Sequence, residues 1–312
     1  MRWRWLQFVI AVLWHCRRKR SDIVWAADVY CLLPAVVLRW LHGAAVVYDS
    51  RELYSSLSTL ARRPIAQRLL AWYERVLVRW VDRVVASGTR DAELLAQLLP
   101  LRQPAVVVMN VPFYAEPQRT DRLRQRCAIP PESPILLYQG AVLEGRGIRN
   151  AIEMLQYLPT VHFCILGDGS ARDAIAAYAA ECAVATRVHV LGSVPYQELL
   201  EWTASADVGW CWIEPITESY ALALPNKLFE YAMARIPVLA SRLPAMADVL
   251  EQYPFGICVE PTATARELAA AVEQLLGASE RFRRWADIAA RQYCYERQQE
   301  VIYSLVHQLC NR

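Results

Sequence analysis

The sequence predicts an α/β protein of two domains, each an open parallel sheet with helices packed on it. Three observations predict this. Short β-branched runs alternate with longer helical patterns along the whole chain. Many of the short runs are apolar on both faces, as strands of a covered parallel sheet are. Residues 112–133 interrupt the pattern, with Pro112, Pro117, Pro130 and Pro131 among polar residues and no periodicity. The length agrees: 312 residues, at roughly 100–200 per domain, make about two.

In chain order, a helix is expected over about 3–16, then the strand runs DIVWAAD (22–28), AVVYDS (45–50), RVVASG (83–88) and AVVVMN (105–110). Segments 61–80 and 89–99 read as helices between them. After the break come PILLYQG (134–140), VHFCILG (161–167), RVHVLG (187–192), DVGWCWI (207–213), PVLAS (237–241) and GICVE (256–260). Helical patterns at 148–158, 170–185, 196–205 and 263–277 separate these. The arginine- and glutamine-rich tail also reads as helix. The expected division is 1–115, 116–280 and a tail over 281–312 that folds back toward the first domain.

Composition narrows the function. Apolar residues make up 55% of the chain and charged residues 21%, which is ample for two cores. A net charge of +3 is too small to argue for a nucleic-acid partner. Nine cysteines without a C-x-x-C pair suit reduced thiols in a cytoplasmic protein. The scattered histidines suggest no metal site. The apolar stretch from Trp5 to Trp14 is too short to span a bilayer and too poorly flanked for a signal peptide. Residues 2–20 hold six basic residues, three tryptophans and no acidic residue. That helix is expected to cover the first sheet. The same composition also suits peripheral contact with an anionic membrane, or a partner chain.

The chemistry concentrates in three stretches. In ALALPNKLFEYAMARIPVLAS (221–241), Pro225 suits the first turn of a helix, and Asn226, Lys227 and Glu230 fall on one side of it. A helix N-terminus at the carboxyl edge of a sheet attracts anions, and Lys227 adds a full charge there. Glu230 could accept two ribose hydroxyls. The same spacing equally fits a surface Lys227–Glu230 pair. In YQGAVLEGRGI (138–148), Gly140, Gly145 and Gly147 allow backbone to approach a phosphate, and Arg146 supplies a fork of donors. ILGDGS (165–170) is a third strand-to-helix turn.

Together with VHVLGSVPYQELLEWTASADVG and YDSRELY, these stretches resemble glycosyltransferase family 4, the glycosyl transferases group 1. The resemblance implies a GT-B-like fold: two Rossmann-like domains facing a cleft, here with the N-terminal, acceptor-side domain incomplete. It implies transfer of a sugar from a nucleotide-sugar donor to a glycan or lipid-linked acceptor, with retention and without a cofactor or metal. The alternative is a non-catalytic or partner-dependent remnant that binds a sugar nucleotide. By the same resemblance, Arg146 and Lys227 would be the catalytic cations. Glu230, Gly140, Gly147, Asn226, Gly167 and Val194 would bind the donor, and Arg51 and Glu52 would lie on the acceptor side. The protein is expected in the cytoplasm or peripherally at the inner membrane face. Four positions depart from the family pattern: Leu222 stands for the first glutamate of E-x7-E, Ala141 for an arginine, Arg51 for a histidine and Arg235 for a glycine.

Overall fold

A computed structural model describes residues 2–51, 63–216 and 218–311. Its contacts divide the chain into two units, Met1–Asn110 with Arg297–Arg312, and Val111–Glu296.

The first unit opens with α1 (Arg2–Cys16), followed by β1 (Ile23–Ala26), α2 (Leu32–His42), β2 (Ala45–Ser50), α3 (Pro64–Leu77), β3 (Arg83–Ala86), α4 (Thr89–Leu98) and β4 (Val106–Val107). The strands are parallel and lie in the order β1-β2-β3-β4. Val46, Val47 and Tyr48 are fully buried, which explains the apolar runs read from the sequence. Two polar anchors hold this unit. The Asp82 carboxylate accepts from the Val46 N–H at 2.8 Å and from the Arg39 guanidinium. Tyr48 donates to the buried Glu74 at 2.6 Å. Burial pushes the Glu74 carboxyl up, against the pull of the tyrosine.

The opening helix was expected on the sheet, but α1 packs on α2, which itself lies against β1 and β2. It is an outer-layer helix. Trp5 donates to the Tyr30 carbonyl at 3.2 Å, and His42 Nε2 lies 3.1 Å from the Arg17 carbonyl, so the two helices run side by side in one direction.

The second unit contains α5 (Arg122–Cys127), β5 (Ile135–Gln139), α6 (Ile148–Met154), β6 (His162–Leu166), α7 (Arg172–Glu181), β7 (Val188–Gly192), α8 (Tyr196–Ala204) and β8 (Val208–Cys211). It continues with α9 (Glu218–Ala221), α10 (Asn226–Met233), β9 (Val238–Ser241), α11 (Pro244–Gln252), β10 (Gly256–Val259), α12 (Ala265–Gly277) and α13 (Ser279–Gln292). Its six strands are parallel, in the order β10-β9-β8-β5-β6-β7. Every residue of β5 is buried, and Trp210 of β8 stacks on Trp212 beneath α12 and α6. A capping box between Thr264 and Glu267 fixes the start of α12.

The tail divides between the units. α13 packs on α10 in the second unit. In α14 (Tyr295–Cys310), Leu305 and Leu309 pack against Val47 and Val85 of the first sheet, and Gln298 accepts from the Met109 N–H at 2.8 Å. Arg235, at the family's glycine position, keeps the left-handed backbone that glycine favours, with φ of 56°. Its guanidinium offsets the strain by bonding Asp287 at 2.9 Å and the Ala115 carbonyl at 3.2 Å.

Candidate functional site

The second sheet reverses direction at its centre. From β5 the chain adds β6 and β7 on one side, then returns to place β8 on the other side of β5. The helices after β5 and β8 therefore pack on opposite faces, and the carboxyl edge beside this reversal is the place where open α/β sheets bind ligands.

Three turns interlock there. Gly140 N–H donates to the Leu166 carbonyl at 2.9 Å, Val142 N–H to Asp168 at 3.0 Å, and Glu214 N–H to Gly145 at 3.0 Å. The packing is close enough to require glycine. A Cβ on Gly167 would lie 1.8 Å from the Gly140 carbonyl oxygen, and one on Gly147 would lie 2.0 Å from the Trp212 ring, at a φ of 61°. Gly147 caps α6, so the free N–H groups of that helix face the same edge.

α10 starts one residue later than expected, with Pro225 in extended backbone just ahead of it. Lys227 is only 9% exposed, so it is no surface ion-pair partner. Its ammonium sits 3.8 Å from the centroid of the Tyr138 ring, and a Cβ built on Gly140 would lie 3.7 Å from it. Burial lowers the Lys227 pKa to about 8; Arg146 pushes it the same way, while Cys211 and Glu230 oppose. Burial pushes the neighbouring Cys211 thiol up to about 12. The Arg146 guanidinium lies 4.9 Å from the Tyr220 ring centroid.

Glu230, a turn into α10, accepts from Gln139 Nε2. Gln139 is held in turn: its Oε1 accepts from Thr203 Oγ1 at 2.8 Å, and its N–H donates to the Tyr231 hydroxyl, which donates to the Leu137 carbonyl at 2.9 Å. Burial raises the Glu230 pKa, while Gln139 and Lys227 pull it down. The carboxylate lines a cavity of about 380 Å³ with Phe113, Tyr196, Leu199, Thr203 and Met233.

The structure thus brings Gly140, Gly147, Gly167, Arg146, Lys227 and Glu230 to one edge of one sheet. Asn226 is exposed at the first turn of α10, and Val194 is half-buried on the turn after β7. Neither side chain bonds Arg146, Lys227 or Glu230 among the described residues. Arg51 belongs to the first unit, where it is exposed and bonds Asp49 at 3.4 Å. Glu52 lies outside the described residues. Gln139, Thr203, Tyr138 and Tyr196 were not singled out from the sequence. Gln139 carried a signal, a polar residue at the end of an otherwise apolar strand; the helical Thr203 and Tyr196 carried none. No group of three or more His, Cys, Asp or Glu is placed to hold a metal among the described residues.

A family model described as glycosyl transferases group 1 matches residues 119–292. The chain is 26% identical over 294 residues to a 2-deoxystreptamine glucosyltransferase of Streptomyces kanamyceticus, covering 86% of this chain and 73% of that protein. It is 27% identical over 201 residues to a D-inositol 3-phosphate glycosyltransferase of Xylanimonas cellulosilytica, covering 60% and 47%. Among solved structures, HepE of Anabaena in complex with UDP superposes with a TM-score of 0.79 at 16% identity, over 96% of this chain and 82% of that one. Sucrose-phosphate synthase from Thermosynechococcus elongatus superposes with a TM-score of 0.78 at 17% identity, over 97% and 77%.

Proposed function

Because the chain belongs to the glycosyl transferases group 1, we propose that this glycosyltransferase takes a nucleotide-sugar donor at the carboxyl edge of its second sheet and passes the sugar to a glycan or lipid-linked acceptor. The observation that carries this reading is the buried ammonium of Lys227, grouped with Arg146 at the β5/β8 reversal and beside the N-termini of α6 and α10. Two cations and two helix dipoles at one place suit a diphosphate. Glu230, held in orientation by Gln139, suits the two hydroxyls of a ribose.

In this reading the acceptor hydroxyl oxygen bonds the anomeric carbon as the bond from that carbon to the donor phosphate breaks. Attack comes from the face the leaving group departs from, so configuration is retained. The acceptor proton passes to the departing phosphate oxygen, which Arg146 and Lys227 stabilise as its charge grows. Asn226 and Val194 complete the donor side, and Arg51 and Glu52 the acceptor side. No metal or cofactor enters. Nine free thiols suit the cytoplasm. Among the described residues no helix is long and apolar enough to cross a membrane.

UDP-glucose, which a HepE structure contains, is the first donor to try, beside GDP-, ADP- and N-acetylglucosamine-bearing nucleotide sugars. A ligand that binds only the native state raises its melting temperature. Stabilisation by one donor, followed by its consumption with an acceptor panel, supports the enzyme reading. Stabilisation without hydrolysis or transfer points to the donor-binding remnant, and no stabilisation by any donor refutes both.

A further inference from the structure

α1 has two apolar faces, and the described residues cover only one. Val9 is buried, and Trp5, one turn before it, packs edge-on against Tyr73. On the opposite face Trp3, Leu6, Ile10 and Trp14 follow one another at i+3 and i+4 spacing, and all are exposed: Trp3 and Trp14 to 71%, Ile10 to 58%. A helix that is apolar all round is normally covered all round. The exposed stripe ends in cations. The Arg17 guanidinium lies 3.3 Å from the Trp14 ring centroid, and Arg18, Lys19 and Arg20 follow. In the last turn of α2, which His42 ties to the Arg17 carbonyl, Trp40 and Leu41 are also exposed, and Trp40 packs edge-on against Trp80.

The charge is as uneven as the hydrophobicity. Residues 2–20 carry six of the 34 Lys and Arg and none of the 31 Asp and Glu. With those six set aside, 28 basic residues face 31 acidic ones, so the rest of the chain is net −3. The segment that concentrates positive charge is therefore the one that presents the exposed tryptophan stripe. Indole rings settle at the level of lipid headgroups, arginine and lysine stems reach back to anionic phosphates, and an acidic remainder turns away from the same surface.

We propose that the Trp3–Leu6–Ile10–Trp14 face of α1 rests on an anionic lipid surface, with Arg17 to Arg20 on the headgroup phosphates. The helix lies in the interface plane and does not span it. The proposal stands apart from the donor site, since it rests on the first unit alone.

The test is co-sedimentation of the full chain with vesicles of phosphatidylcholine alone or mixed with phosphatidylglycerol. Binding is expected to the mixed vesicles at low salt, to fall steeply at about 0.5 M salt, and to be weak on phosphatidylcholine. A Trp3→Ser, Ile10→Ser, Trp14→Ser variant should bind the mixed vesicles at least about tenfold more weakly. Because those side chains face solvent, its melting temperature should match wild type, which separates lost docking from lost folding. Equal binding by the variant, or no binding by wild type at low salt, overturns the proposal. So does a wild-type dimer in sedimentation velocity that the variant lacks while vesicles are ignored, because the stripe would then be an interface between copies.

Discussion

Lys227 should make donor affinity depend on pH in a range where most lysines are silent. Its pKa is lowered to about 8 because burial removes the water that would stabilise the ammonium, and Arg146 adds repulsion. A diphosphate bound beside it would restore the charge, so binding takes up a proton wherever the free protein has lost one. Between pH 7 and pH 9 the protonated fraction of the free protein falls from about nine-tenths to about one-tenth. If the charged form binds, affinity for UDP should fall about tenfold over that range, or about 1.4 kcal/mol. Calorimetric titration of UDP at both pH values, in buffers of different ionisation enthalpy, reads the affinity and the proton uptake together. Lys227→Met should bind UDP more weakly at pH 7 and show no such slope. A flat wild-type profile, or a slope that persists in the methionine variant, refutes the reasoning.

The same group acts on stability with the opposite consequence. Unfolded, Lys227 holds its proton up to about its ordinary pKa of 10.5; folded, it releases it at about 8. The unfolded state therefore binds more protons between those values, and stability rises with pH through that window. Below it the penalty on the native state is complete, on the order of 3 kcal/mol. Lys227→Met is accordingly expected to raise the melting temperature of the ligand-free protein at pH 7 while it weakens UDP binding. Losing both binding and stability would contradict the burial of this charge.

Three further outcomes follow from the packing. Gly167→Ala drives a Cβ into the Gly140 carbonyl and should cost at least about 2 kcal/mol in denaturant titration, with loss of UDP binding. Asp82→Ala strips the partner from the Val46 N–H and from Arg39, and should destabilise the first unit by about 2–3 kcal/mol, seen as faster hydrogen exchange there. Leu305→Ala opens a cavity against Val47 and Val85 and should cost about 2–4 kcal/mol, with exchange rising across β2 and β3 before the second unit is affected.

The strands were legible because a covered parallel sheet leaves its mark locally. A strand such as ILLYQ can be apolar throughout only if helices lie on both faces. α2 was harder to read. LLPAVVLRWLH is apolar nearly all round and holds a proline in its first turn, so it shows no clean stripe, and it lies between β1 on one side and α1 on the other. The placement of α1 failed for the same reason. Its sequence announces an apolar helix but not which neighbour takes which face, and α2 had already claimed the sheet.

In the site, the glycines, Arg146, Lys227 and Glu230 were visible because turn chemistry and helix spacing are written in short stretches. The Thr203–Gln139–Glu230 chain was not, because it joins α8, β5 and α10 across 91 positions of sequence and exists only once the sheet has ordered its strands. Arg235 shows the converse. A residue that looked like a departure from glycine keeps glycine's backbone, held by Asp287 on a helix that the local sequence does not mention.

Arg146, Lys227 and Glu230 at the β5/β8 reversal are proposed to hold the donor's diphosphate and ribose. The most direct test is calorimetric titration of the stabilising nucleotide sugar, or of UDP, into wild type, Arg146→Ala and Glu230→Ala at pH 7. Each substitution should weaken binding by about 1.5–3 kcal/mol, the worth of one charge-assisted contact; the melting temperature of the ligand-free protein should be nearly unchanged in Arg146→Ala and lower in Glu230→Ala, which leaves the buried Gln139 amide without its acceptor. Unchanged affinity in both variants would place the donor elsewhere and contradict the account.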